Sequence, residues 1–412
     1  MLACVFSRQE QEIKNEIISE LEQLAGTVGY DVLDSLSQNL DAPNPKHYLG
    51  TGKLIELKRL VQVYNPAIIL IRHNITPSQR KSLIRELGTE IIDRTQLILE
   101  IFEKHASTLE GKLEVELARL RYELPFFKGK GSELSNPGGG IGTRGPGEKR
   151  LELDRRKALQ RMAFLKRELK KLQLEREIMR KKRQRAGLPL IALVGYTNAG
   201  KSSLLNEICS SDVLVEDKLF STLDTRIRKS KVPSGREVLF IDTVGFIREL
   251  PHQLVESFKS TLEEISYADF LLLVVDASMP NEEARLRVID ETLAKIKAGE
   301  IPRILVFNKI DRCTNERIRT LESKYPEAVL VSALKNINLD ELKLKIDEVL
   351  NTVRKRHSLR INFDEYKEVL KVREKLEILS EKFGEDFIEV EYITDSVTNR
   401  RLLNKLKEAG RK

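Results

Sequence analysis

Gly195, Gly200, Lys201 and Ser202 stand in GxxxxGKS spacing inside the string GYTNAGKSS, directly after one apolar run and before an apolar-periodic stretch. A strand, a glycine-rich turn and a helix are what a phosphate-cradling loop needs around that spacing. Tyr196, Thr197, Asn198 and Ala199 fill the turn, and the backbone N–H groups from Asn198 to Ser203 fall at the positive end of the helix, where α- and β-phosphates are stabilised. Lys201 has the reach for β- and γ-oxygens, and a hydroxyl at Ser202 is a ligand for Mg²⁺. The loop alone implies a nucleotide without saying which.

Four further segments arrive in an order that selects the base. In FSTLD, Phe220, Ser221, Thr222, Leu223 and Asp224 lie between that helix and a following strand, where the Thr222 hydroxyl can complete the Mg²⁺ shell and close over a γ-phosphate. A strand at 238–241 leads into DTVGF: Asp242 comes to the Mg²⁺ shell, Thr243 and Val244 follow, and the Gly245 N–H faces the γ-phosphate. A strand at 304–307 ends in Asn308, Lys309, Ile310 and Asp311. A carboxylate at Asp311 accepts both the ring N1–H and the exocyclic amine of guanine; adenine offers neither there, and an unpaired carboxylate is costly. Ser332, Ala333 and Leu334 end the last strand and present the Ala333 N–H to the guanine carbonyl. The implied chemistry is Mg²⁺-dependent hydrolysis of GTP to GDP and phosphate, with Lys201, Thr222 and Gly245 as catalytic residues. Many GTPases follow that glycine with a glutamine that orients water. Phe246 offers no donor or acceptor. It either packs into the core, or intrinsic hydrolysis is slow and a partner completes the site.

With 412 residues the chain exceeds the ~250–300 at which single cores stop growing. The pattern predicts an α/β protein of four parts. Residues 1–107 alternate strands (1–6, 67–71, 90–92) with helices (9–25, and 77–87 behind a Thr76 cap), which implies a small domain with a parallel sheet. Its GTGK at 50–53 resembles a clipped phosphate loop, and a plain glycine turn before a helix accounts for it equally well. Residues 108–187 form a long antiparallel helical hairpin with a glycine-rich tip at 126–148. Leu109, Leu113, Leu117, Leu120 and Leu124 mark one helix, which Pro125 ends. Leu151, Ala158, Leu165, Leu172 and Met179, with Met162 and Leu169, mark the seam of the other, roughly 55 Å long. Residues 188–356 are the P-loop GTPase domain. Residues 357–412 are a small α+β appendage with strands at 359–363 and 387–392 and helices at 366–383 and 399–409.

Net charge is +8, yet residues 148–187 alone carry 16 Lys and Arg against six Asp and Glu, so the rest of the chain is slightly acidic. A run this lopsided favours a phosphate backbone over a merely solvated face. In the tip, Lys128, Lys130, Arg144, Lys149 and Arg150 are interleaved with glycines, which suits a loop ordering itself on RNA. The same basic helix would also suit weak contact with anionic lipid. Three scattered cysteines form no disulfide or zinc pattern, and no apolar run nears the ~18 residues of a membrane span, so a cytoplasmic, monomeric protein is expected.

With these strings in view the chain resembles the HflX family of ribosome-associated GTPases. The resemblance rests on YLGTGK, EGKLEVELARLRYELP, GGGIGTRGPGEKRLELDRR, GYTNAGKSSLLN and DTVGFIRELPHQLVESFKSTLEE. It implies a factor that binds the large ribosomal subunit and its rRNA, with the glycine-rich tip entering the RNA near the peptidyl-transfer region. Roles in ribosome splitting, rescue, translation or biogenesis go with it. A different implication of the residues is an NTP-dependent RNA remodeller using GTGK as a second nucleotide site. Thr225 stands where the family commonly has proline after TLD, which leaves the path of that segment open.

Overall fold

The computed structural model describes residues 1–128, 146–186, 188–209, 226–243, 245–246, 263–352, 354–373, 376–395, 398–399, 402–403 and 405–406. They divide into two compact units, Met1–Lys170 and the residues from Lys171 onward.

The first unit begins with β1 (Leu2–Phe6), α1 (Lys14–Val28), β2 (Ser35–Asn39), α2 (Thr51–Tyr64), β3 (Ile68–Ile71), α3 (Pro77–Leu87), β4 (Glu90–Asp93) and α4 (Arg94–His105). The sheet runs β2-β1-β3-β4 with every pair parallel. β1 is buried along its whole length, as a central parallel strand covered on both faces must be. α3 starts where its cap predicts: Thr76 accepts from the Gln79 N–H at 3.2 Å and Gln79 Oε1 accepts from the Thr76 N–H at 2.9 Å. The helix expected at 9–25 instead begins at Lys14, after a short 3-10 turn at Arg8–Glu10. β2 escaped prediction because only Leu36 is buried in it, too little for an alternation to show.

α5 (Leu109–Glu123) and α6 (Pro146–Ala186) follow. Within the first unit the expected seam is real over Ala158, Met162 and Leu165, all buried, and Arg161 grips Glu116 with both guanidinium prongs at 2.6 and 2.8 Å. Further along, Leu169 and Leu172 are half-buried and Met179 is exposed, so the seven-residue spacing there does not mark a buried face. On α5, Leu113 and Leu117 are buried while Leu109 is exposed.

In the second unit β5 (Leu190–Gly195), α7 (Lys201–Cys209), β6 (Arg226–Lys231), β7 (Glu237–Asp242), β8 (Phe270–Asp276), α8 (Glu282–Lys295), β9 (Arg303–Asn308), α9 (Asn315–Lys324), β10 (Val329–Leu330) and α10 (Leu339–Thr352) build a six-stranded sheet. Its order is β10-β9-β8-β5-β7-β6, parallel except for β6. The chain leaves β5 first toward one edge and later toward the other, so the crevice at its carboxyl end is a topological switch point, where open α/β sheets bind ligands. Alternate residues of β5 feed two cores, Ile191 and Leu193 with Leu204 and Phe240 on one face, Ala192 and Val194 with Ile241 and Leu271 on the other.

β11 (Arg354–Ile361), α11 (Phe363–Leu370), β12 (Glu377–Phe383) and β13 (Ile388–Asp395) come next, with an antiparallel sheet ordered β11-β13-β12, and beyond them Leu402 and Leu406 pack on Val390 and Tyr392. The helix expected over 366–383 is therefore wrong: it stops at Leu370, and 377–383 is a strand. Its leucines and alternating charges imitate a helix, but a tight turn in which the Gly384 N–H donates to Phe387 O folds the segment onto β13, and pairing overrides propensity.

Candidate nucleotide-binding site

The phosphate loop leaves β5 at Gly195 and enters α7 at Lys201. Asn198 takes a left-handed φ of 58° and Gly200 one of 85°; a Cβ on Gly200 would lie 2.2 Å from Asn308 Nδ2, so only glycine fits. Lys201 is buried, and its Nζ donates to Gly195 O at 3.2 Å and Tyr196 O at 3.0 Å. Burial pulls its pKa down to about 8, against the opposing pull of Asp242. The ammonium thus lies at the loop, held by neutral carbonyl acceptors that a phosphate would outcompete. Thr197 Oγ1 is buried with no hydrogen-bond partner among the described residues, a polar atom suited to a ligand at the loop. Ser203 sits in the first turn of α7.

Ser202 Oγ donates to Asp242 Oδ2 at 2.7 Å, which brings together two hard oxygen ligands beside the loop and fits the chemistry of Mg²⁺. Next along, Thr243 Oγ1 donates to Leu193 O at 2.7 Å and ties the segment to β5. Gly245 abuts the loop so closely that a Cβ would lie 2.7 Å from Thr197 Cα and 2.9 Å from Lys201 Nζ. Phe246 completes a parallel bridge with Tyr196: its N–H donates to Gly195 O at 2.9 Å and its carbonyl accepts from the Thr197 N–H at 2.8 Å. Its ring, 5 % exposed, lies in the core with Val194, Ile241, Ile265 and Leu271. Of the two readings of this residue, core packing describes where the ring is.

At the base end Asn308 is a cross-link. Its Nδ2 donates to Ala199 O at 3.0 Å, and its Oδ1 accepts from the Ala333 N–H at 3.0 Å. The donor expected to face a guanine carbonyl is therefore engaged by Asn308 here, a partnership that sequence spacing does not reveal. Asp311 is exposed, with Oδ1 accepting from Ser332 Oγ at 2.5 Å, and Ser332 Oγ accepts in turn from the Lys335 N–H at 3.1 Å. Ile310 is buried and Leu334 is 72 % exposed. Lys309, at a φ of 66°, pairs with Asp276 at 3.0 Å and donates to Asn198 Oδ1 at 3.3 Å. Asp276 and Lys335 were not foreseen. Asp276 left one signal: an acidic residue ending an otherwise apolar strand.

The geometry thus gathers Gly195, Tyr196, Thr197, Asn198, Ala199, Gly200, Lys201, Ser202, Asp242, Thr243 and Gly245 at one end, and Asn308, Lys309, Asp311, Ser332 and Ala333 at the other. Phe220, Ser221, Thr222, Leu223, Asp224, Val244, Lys130 and Arg144 lie outside the described residues, as do the side chains of Lys128, Lys149, Arg150 and Leu151.

Comparison with known proteins agrees along the chain. Residues 15–103 match the model for the GTP-binding GTPase N-terminal region, 105–183 that for the GTP-binding GTPase middle region, and 190–309 that for the 50S ribosome-binding GTPase. The chain is 42 % identical to GTPase HflX of Caldanaerobacter subterraneus subsp. tengcongensis over 98 % of its own length and 92 % of the relative's. Against GTPase HflX of Alkalihalophilus pseudofirmus it is 40 % identical over 99 % and 96 %, and against that of Escherichia coli K12, 38 % over 88 % and 85 %. A crystal structure of a GTP-binding protein from Sulfolobus solfataricus in complex with GDP is 27 % identical, covers 84 % of this chain and 97 % of that one, and superposes loosely at a TM-score of 0.45. The chain belongs to the HflX family of P-loop GTPases, and the reaction it catalyses is the hydrolysis of GTP.

Proposed function

We propose that this GTPase is a nucleotide-switched cytoplasmic factor that binds the large ribosomal subunit and its rRNA, in ribosome splitting and rescue, translation or biogenesis. The lack of any donor or acceptor at Phe246 carries this reading, and the packing of its ring is compatible with it. The position that orients water in many GTPases contributes a ring turned into the core, so hydrolysis is slow alone and waits for a group from a partner. The matched model's description as a 50S ribosome-binding GTPase, together with the basic α6, supports a ribosome as that partner. Among the described residues no helix is long and apolar enough to cross a membrane.

In this mechanism Asp311 accepts the two N–H donors of guanine while Asn308 braces the phosphate loop beneath it. Lys201 exchanges the Gly195 and Tyr196 carbonyls for β- and γ-phosphate oxygens, and the Gly245 N–H, held against the loop, marks the γ-phosphate. Ser202 and Asp242, with Thr222, would hold Mg²⁺, which when bound neutralises charge on the phosphate oxygens. Lys128, Lys130, Arg144, Lys149 and Arg150 contact rRNA phosphates.

The test is GTP turnover with and without isolated large subunits, for the wild type and for a chain lacking residues 138–147. Stimulation of about 10³-fold or more is expected for the wild type and not for the deletion. A wild-type rate that subunits leave unchanged overturns the ribosome-gated reading.

A further inference from the structure

Asp276 stands at the carboxyl end of β8, in register with Asn308 of β9. Its Oδ2 lies 3.0 Å from Lys309 Nζ, and the two side chains are only 15 % and 12 % exposed. Its other oxygen is fixed by Ser278, whose N–H and Oγ donate to Oδ1 at 3.0 and 2.6 Å. The turn beyond is pinned by Arg317, whose Nε donates to Ala277 O at 3.2 Å. The carboxylate is thus anchored independently of the lysine, and the lysine comes to it. Asn198 receives the same ammonium from the phosphate-loop side at 3.3 Å, and Lys309 Cε passes 3.8 Å from where a Cβ on Gly200 would sit.

We propose that Asp276 is a positioning residue for guanine recognition, acting through Lys309. By drawing the ammonium against the phosphate loop it stretches the lysine stem into a wall of the base site. It also keeps that cation away from Asp311, two residues further along. This rests on the reading of Asp311 as the acceptor for guanine. An ammonium released from Asp276 is free to pair with the exposed Asp311 carboxylate and so to compete with the two N–H donors of the base.

A double-mutant cycle tests this, with KM and kcat for GTP and Kd for GDP measured on Asp276→Asn, Lys309→Met and the pair, each checked for an intact thermal transition. Asp276→Asn keeps the acceptor for Ser278 and removes the charge. It should raise KM and the GDP Kd by about tenfold and leave kcat within about twofold. In the Lys309→Met background the same substitution should cost less than about twofold. Equal losses in both backgrounds, or no loss in either, overturn the proposal. Asp311→Asn is the control, assayed with xanthosine triphosphate, whose C2 carbonyl matches an amide N–H. Without a shift toward xanthosine triphosphate the guanine reading itself fails; with that shift and a negative cycle, only the role of Asp276 fails.

Discussion

The starts of α2 and α7 carry nearly the same letters, GTGK and AGKS, and their surroundings make them different objects. At α7 the lysine is buried, its ammonium held among loop carbonyls and its neighbours locked by left-handed Asn198 and Gly200. At α2 Lys53 lies on the helix flank paired with Glu56 at 2.8 Å, and the Gly50 N–H is already taken by Gln38 Oε1 at 2.9 Å. At α7 the cation is held only by neutral carbonyls that a phosphate can displace, whereas at α2 it is paired with a carboxylate and the N–H at the helix start is already taken. This favours the plain glycine turn over a second nucleotide site at GTGK.

The contrast is strongest in the two lysines. Lys201→Ala should cut GTP turnover at least about 100-fold, and Lys53→Ala should leave it within twofold; a turnover assay in which Lys53 matters would break the distinction. The glycines come next. Gly200→Ala places a methyl group onto Asn308 at a positive φ, and the strain alone, about 1–3 kcal/mol, should show as weakened GDP binding in calorimetry. Gly52 has open space around a Cβ, so Gly52→Ala should raise thermal stability by about 0.5–1 kcal/mol with GDP affinity intact.

A third contrast is in pH. The Lys201 pKa is lowered in the folded chain to about 8, so between there and the ordinary lysine range the unfolded chain holds the extra proton, and stability without nucleotide should rise with pH across that window. Nucleotide binding needs the charged lysine, so GTP affinity should instead fall above pH 8, by up to about tenfold per unit. A fluorescence titration with a flat profile from pH 7 to 9.5 would remove the burial argument. Gln38→Ala should likewise cost only about 1 kcal/mol in a thermal melt and nothing in GDP affinity.

What could be read ahead of the structure follows from whether a residue's task is local. GxxxxGKS, DTVG and NKID were legible because phosphate and guanine dictate residue types at short fixed offsets. The Thr76 cap was legible for the same reason: its partner Gln79 is three residues away. Asp276 was not, since its partner is 33 positions on, and neither was the engagement of Ala333 by Asn308. β12 was misread because nothing within EILSEKF announces that β13 lies beside it. Phe246 showed what it lacks chemically, and only packing could show where its ring goes.

The bridge between Phe246 and the phosphate loop sets how such a switch can move. Asp242 is fastened in β7 and Phe246 is clasped to Gly195 and Thr197, so three residues lie between them and the span is at most about 14 Å of chain. A tether that short cannot drift by degrees as contacts at the γ-phosphate weaken. Opening it would require two backbone hydrogen bonds and a buried ring to give way together. The nucleotide would accordingly be read downstream as a threshold event, with a delay set by that release instead of by bond cleavage itself.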